Sequence, residues 1–288
     1  SKYLRVPYGL SVHGNEEINA VVKVLKSSTQ MGKNVTTFEK KIAKLFSKKY
    51  GLMVNSGSSA LMLAMETLNI PEGSEVITPA LTFSTTVGYI VRSKLIPVFV
   101  DVKEGTYCLD ENKIMGLITN KTRAIVAPHV MGNIVNWEKI APMLKKRGII
   151  IIEDSADTLG ATYKNKSTGY YADISITSFY GSHIINCAGN GGMVCFNDKN
   201  RYIKAKLLRS WGRSSSLFDE NSERIENRVN IKLDGIRYNK KFVFEKIGHN
   251  LEHSELGAAI RLVKLKKHKT NLRTMTINVQ LNNKYIKK

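Results

Sequence analysis

Short apolar runs and stretches of helical spacing alternate along the first two thirds of the chain. Apolar residues recur every three or four positions in Glu16–Leu25 (Ile18, Val21, Val22, Leu25) and in Phe38–Phe46 (Phe38, Ile42, Leu45, Phe46), which predicts two amphipathic helices. Gly51–Asn55 reads as a short strand that runs into Ser56-Gly57-Ser58-Ser59 and then into a helix from Ala60. The pattern then repeats. Strands are predicted at Glu75–Thr78, Leu95–Val100, Ala124–Ala127 and Ile149–Ile152, and helices at Phe83–Val91, Lys113–Ile118 and Trp137–Lys146 follow the first three of them. These strands are apolar throughout, as strands buried on both faces should be. Alternating strands and helices over this length imply an α/β domain with a mainly parallel sheet.

The stretch Asp173–Cys195 stands out. Ile174, Ile176 and Phe179 fall between Ser175, Thr177 and Ser178, which reads as a strand. A loop with Gly181-Ser182-His183 follows, then Gly189-Asn190-Gly191-Gly192, then a return strand at Met193–Phe196. Glycine in such a loop lets a ligand approach the backbone closely. A plain β-hairpin with a surface histidine has the same pattern. From Ser210 the texture changes: Ser210–Ser216 and Asp219–Arg228 are polar and loop-like, Asp234–Asn250 mixes glycine, lysine and aromatics, and Glu255–Leu265 returns to helical spacing.

Ligands of parallel sheets sit beyond the carboxyl ends of the strands. Gly57, Phe83, His129, Asp154 and Ser178 all fall at or just after predicted strand ends. One crevice can therefore collect them. Strand, Gly/Ser turn and helix start at Val54–Ala60 is also the geometry that binds phosphate, because free N–H groups and the positive dipole end face the anion. The same residues make an ordinary serine cap. Neither GxGxxG nor GK[ST] is present, so a dinucleotide or nucleoside-triphosphate site is not indicated.

Composition narrows the classes. The 288 residues carry 44 Lys and Arg against 24 Asp and Glu, a formal net charge of +20. Nucleic acid, a membrane surface or an anionic small substrate would each suit that excess. No nucleic-acid motif accompanies it, and part of it lies in the tail, where residues 261–288 contain no acidic residue. No apolar run approaches the roughly 18 residues of a membrane span. The opening SKYLRVPYGL lacks the apolar region of a signal peptide. Cys108, Cys187 and Cys195 have no CxxC spacing, which predicts a reduced, cytoplasmic protein without a disulfide framework or zinc site.

An ordered set of motifs resembles the DegT/DnrJ/EryC1/StrS family of sugar aminotransferases, which have fold type I and use pyridoxal phosphate. The set comprises Asn55-Ser56-Gly57-Ser58-Ser59-Ala60-Leu61, Pro79-Ala80-Leu81-Thr82-Phe83, His129 with Gly132-Asn133, Glu153-Asp154, Ser178-Phe179, Gly191-Gly192 and Glu255-Leu256-Gly257-Ala258-Ala259. Each motif is weak alone, but together they cover nearly the whole chain. The resemblance implies a three-layer αβα large domain over residues 1–210. Residues 211–288 would hold active-site loops, a helix and a basic tail, the truncated start of a small domain. It implies that Gly57, Ser58 and Ser178 hold the cofactor phosphate, that Phe83 stacks on the pyridine ring and that Asp154 pairs with the ring nitrogen. Asp157 is expected beside the cofactor, and Asn250 where a partner subunit's loop reaches the phosphate. A homodimer is implied with it.

The chain departs from the aminotransferases at one decisive place. Their cofactor-binding lysine stands five residues after the serine of the Ser-Phe motif, where this chain has His183, and no lysine lies between Asp173 and Asn197. Histidine there resembles the 3-dehydratases of nucleotide-linked 4-keto-6-deoxyhexoses, as do Asp157 and Ser178-Phe179-Tyr180. Such an enzyme would use pyridoxamine phosphate, regenerate it from glutamate and release a 3-deoxy ketone. An imidazole near neutral pH can move the protons required. Three cysteines fall short of the four that an iron–sulfur cluster needs, and Ser155-Ala156 stand where cluster-containing dehydratases have cysteine, so no cluster is expected. The alternatives are a nucleotide-sugar aminotransferase with an unusual base, and a truncated, inactive relative. Arg261 and Lys264 also depart from the family, which has a small residue and glutamine there.

Overall fold

The computed structural model describes residues 12–183, 185–186, 189–217 and 231–286. Cys187, the opening ten residues, the polar stretch 219–228 and the last two lysines lie outside the described residues. Two helices, α1 (Asn15–Leu25) and α2 (Lys33–Leu45), precede β1 (Tyr50–Val54), α3 (Gly57–Glu66), β2 (Glu75–Pro79), α4 (Ser84–Arg92) and β3 (Ile96–Val100). Then come β4 (Thr122–Pro128), α5 (Trp137–Lys146), β5 (Ile150–Asp154), the small hairpin β6 (Thr162–Tyr163) and β7 (Lys166–Ser167), β8 (Ile174–Ser178), β9 (Gly192–Phe196) and α6 (Lys199–Arg209). A second hairpin, β10 (Ile231–Leu233) and β11 (Ile236–Tyr238), leads to the long helix α7 (Glu255–Ile286).

Seven strands form one sheet in the order β1-β9-β8-β5-β4-β2-β3. All its neighbours run parallel except β9, which lies antiparallel between β1 and β8. Successive side chains of each strand enter opposite layers, which is why the runs are apolar throughout. Leu52 and Val54 of β1, Ile174 and Ile176 of β8, and Val194 and Phe196 of β9 pack with α3 and α6. Met53, Met193 and Cys195 face the other way, onto Phe38 and Ile42 of α2 and Ala258 of α7. Ile125 and Ile151 lie on that second side as well, under α5. The expected α/β fold with a mainly parallel sheet is thus present, in three layers.

Four details differ from the expectation. Strand β3 is an edge strand, and Ile96 and Phe99 are exposed rather than buried. The helix predicted at Lys113–Ile118 is a single 3-10 turn, Met115–Leu117. The apolar stripe of α1 points outward: Ile18, Val22 and Leu25 are exposed, whereas Glu17 and Val24 are buried. Charge orients that helix, because Lys267 of α7 lies 2.9 Å from both Glu16 and Glu17. Helix α6 carries so many lysines and arginines that no apolar stripe announces it.

Candidate active site

Sheet register brings the sequence-predicted residues to one edge. Ser178 pairs with Gly192, which pairs with Val54, and Asp154 pairs with Ile176 and with Pro128. The strand ends that precede Ser56, His129 and Ser155 therefore lie along one edge of the sheet, where the crevice expected from the sequence would open.

Its first wall is the start of α3. Ser56 caps that helix, its Oγ accepting from the Ser59 amide at 3.0 Å. The first-turn amides of Gly57 and Ser58 have no intrahelical acceptor. The backbone here is tightly seated. A Cβ at Gly57 would lie 2.7 Å from Ser178 Cβ, and one at Gly192 would lie 2.1 Å from the Ser56 carbonyl oxygen. Glycine is required at both positions by close approach. The Ser178 hydroxyl thus sits against the helix start, where it accepts from the Tyr180 amide at 3.3 Å.

The crevice floor carries carboxylates and imidazoles. Asp154 Oδ1 accepts from the Ala156 amide at 3.0 Å. Burial pushes its carboxyl up to about 6, and the charge of Asp157 adds to the rise. Asp157 behaves in the opposite way. The His183 imidazole beside it outweighs burial and holds it below the usual carboxylate range, with Nδ1 3.5 Å from Oδ1. Its other oxygen accepts from the Met131 amide at 3.2 Å. Behind them, His129 and Glu153 are fully buried, with Nε2 and Oε1 3.4 Å apart. Burial pushes Glu153 up, but His129 and the Ser155 hydroxyl more than offset it. Val135 donates its amide to His129 Nδ1 at 3.0 Å, so in the neutral ring the proton is on Nε2, facing Glu153.

Phe83 stands at the N-cap of α4, four residues after the end of β2, and its ring is 70% exposed. Asn250 lies apart from the Asp154–His183 group. It bridges to Ser210, and the neighbouring Leu251 carbonyl accepts from the Asn55 amide at 3.0 Å, beside the α3 turn.

Two features escaped sequence reasoning. Glu255, at the start of α7, caps α2 by accepting from the amides of Gly32 (2.9 Å) and Val35 (3.1 Å). Its motif marks a helix start, yet nothing local indicates that the carboxylate serves another helix. Asn186, in the loop after His183, donates to the Gly181 carbonyl at 3.0 Å, and no pattern in the sequence singles it out.

These residues fit a phosphorylated pyridine cofactor. Helix-start amides without an intrahelical acceptor, beside a hydroxyl, suit a phosphate dianion. A half-buried carboxyl whose pKa is raised to about 6, with one backbone donor, suits a cationic ring nitrogen that would return it to its ionised form. Among the described residues no group of three or more His, Cys, Asp or Glu side chains is arranged to hold a metal ion. No described helix is long and apolar enough to cross a membrane.

Comparison with known proteins identifies the family. The family model of the DegT/DnrJ/EryC1/StrS aminotransferase family matches residues 12–284. The chain is 33% identical over 271 residues to dTDP-4-dehydro-2,6-dideoxy-D-glucose 3-dehydratase of Saccharopolyspora spinosa, covering 91% of this chain and 58% of that protein. It is 33% identical over 266 residues to GDP-perosamine synthase of Escherichia coli O157:H7, covering 92% and 66%. Its structure superposes with a TM-score of 0.82 on E. coli GDP-4-keto-6-deoxy-D-mannose-3-dehydratase with bound hydrated PLP, at 30% identity, covering 92% of this chain and 68% of that one. The chain thus spans about six tenths of the length of the curated relatives it matches. Fold, strand-end motifs and matched length together place the chain in the DegT/DnrJ/EryC1/StrS aminotransferase family.

Proposed function

We propose that this chain binds pyridoxal or pyridoxamine phosphate and acts as a 3-dehydratase on a nucleotide-linked 4-keto-6-deoxyhexose. The observation that carries the reading is His183. It occupies the place of the family's lysine, and its Nδ1 lies 3.5 Å from Asp157, close to the half-buried Asp154. When bound, the cofactor supplies an electron sink that makes an adjacent C–H bond acidic. Asp154 holds a proton at the ring nitrogen. Gly57, Ser58 and Ser178 bind the phosphate, and Phe83 covers the ring. Asp157 orients the His183 ring by accepting at Nδ1, which leaves Nε2 to take up a proton and return it to the departing C-3 hydroxyl. Without a lysine to recapture the cofactor, elimination wins over amino transfer, and glutamate serves as amino donor for the next cycle.

On this reading residues 1–210 form the cofactor-binding part, two copies of the chain act together in the cytoplasm, and Asn250 approaches the partner's phosphate. A nucleotide-sugar aminotransferase is the second reading, supported by the 33% identity to a perosamine synthase.

Absorbance separates the readings. Protein mixed with pyridoxal phosphate should retain a cofactor band that shifts to the pyridoxamine form with glutamate. With a 4-keto sugar nucleotide, ammonia should then be released. His183→Lys should bind the cofactor covalently, giving a band that survives gel filtration. Formation of an amino sugar in place of released ammonia would favour the aminotransferase, and no retained cofactor would end the catalytic reading.

A further inference from the structure

Helix α7 reaches the loop that carries His183 through two buried cations. Arg261 is fully buried. Its guanidinium donates to the Asn190 carbonyl at 3.0 Å and lies 4.3 Å from the centre of the Phe179 ring. A Cβ at Gly191 would collide with it at 1.5 Å. Arg261 therefore fixes the leg of the loop that returns to β9. One turn further along, the Lys264 ammonium donates to Asn186 Oδ1. Asn186 Nδ2 in turn donates to the Gly181 carbonyl at 3.0 Å. That carbonyl lies two residues before His183, whose amide donates to Tyr180 at 3.0 Å.

We propose that Lys264 is a positioning residue for His183, acting through Asn186 on the Gly181–His183 turn. The chemistry of the pair sets a direction. An ammonium has only donors, so it forces Asn186 to present its oxygen to α7. The amide nitrogen must then face the other way, toward the Gly181 carbonyl. A glutamine at 264 could face Asn186 with either atom and would leave that choice open. Because Lys264 is buried, its charge is not spread into water and the bond to Asn186 is charge-assisted. The turn is thereby tied to α7 on one side and, through His183 and Asp157, to the end of β5 on the other. Its functional meaning rests on the assignment of His183 to proton transfer.

Three variants test the relay: Lys264→Met, which keeps the unbranched shape without a donor; Lys264→Arg, which keeps a pure donor; and Asn186→Asp, which keeps the acceptor for Lys264 and loses the donor to Gly181. The first readout is exchange of the His183 backbone amide in cofactor-free protein, with the Ile125 amide of β4 as internal reference. Relative to Ile125, His183 exchange should rise about tenfold or more in Lys264→Met and Asn186→Asp, and stay within about twofold in Lys264→Arg. The second readout is turnover with pyridoxal phosphate, glutamate and a 4-keto sugar nucleotide. There kcat should fall about tenfold in the first two variants, with KM for glutamate held within about twofold. Wild-type exchange in Asn186→Asp, or equal acceleration at Ile125 and His183, would overturn the relay. If the wild-type protein turns over nothing, the proposed function fails, and the exchange experiment still decides the relay.

Discussion

Replacing Asp154 with asparagine should make the cofactor-free protein more stable. Burial pushes this carboxyl from its ordinary 3.8 to about 6. Up to about pH 6 the folded chain keeps the proton, whereas the unfolded chain gives it up near 3.8. Unfolding in that window releases a proton, so stability falls as pH rises through it and stays at the lower level above. A rise of this size corresponds to about 3 kcal/mol at pH 7.5, at 1.36 kcal/mol for each pH unit. The side chain is partly open to the crevice, so about 1–3 kcal/mol is the expected range. Asparagine carries no charge to desolvate, and its Oδ1 can still accept from Ala156. For a chain of this length the gain amounts to about 2–5 °C in Tm at pH 7.5, and about a third of that at pH 4.5. Thermal unfolding of both proteins at the two pH values measures it. Adding pyridoxal phosphate should reverse the ranking, because at 100 times Kd a ligand stabilises the wild type by about 2.7 kcal/mol while the variant lacks the charge proposed to hold the ring nitrogen. An equal gain at both pH values, or a less stable variant at pH 7.5, would refute the reasoning.

Two further substitutions probe the scaffold. Gly57→Ala should cost about 1–3 kcal/mol in a denaturant titration, since the added methyl meets Ser178 Cβ at 2.7 Å; Ser178→Gly in the same chain should recover most of the loss. Arg209→Met should cost about 3–5 kcal/mol, because it strands the buried Glu39 carboxylate that Arg209 meets at 2.9 Å; adding Glu39→Gln, which keeps an acceptor for the Met53 amide, should restore part of it.

Much of the architecture was legible because a two-sided sheet demands apolar runs, and those runs end where the chemistry begins. The serine cap of α3, Asp154 at the end of β5 and Ser178 at the end of β8 follow from that rule alone. The rule fails where burial is not what the residues obey. Ile96 and Phe99 resemble core residues but sit on an edge strand, and α1 turns Glu17 rather than Ile18 inward because Lys267 awaits it. The assignment of His183 came from family resemblance, since a histidine in a glycine-rich loop has no local signature of its role. The Lys264–Asn186 contact was illegible for a different reason: its partners are 78 residues apart and meet only when α7 docks.

The antiparallel position of β9 has a consequence for when the crevice can exist during folding. The strand that leads into Ser56 and the strand ending at Ser178 are not paired; β9 stands between them, and Gly192 packs against Ser56 and pairs with Ser178. Closing β1 onto β9 joins Val54 to Gly192, across nearly half the chain. A pairing of such long range forms late, after the entropy of a large loop has been overcome. During synthesis, the strands from β2 to β5 can assemble as soon as they emerge, but the junction of Ser56, Gly192 and Ser178 has to wait until Phe196 has left the ribosome. The cofactor therefore cannot template the sheet; it can only lock a sheet that has already closed.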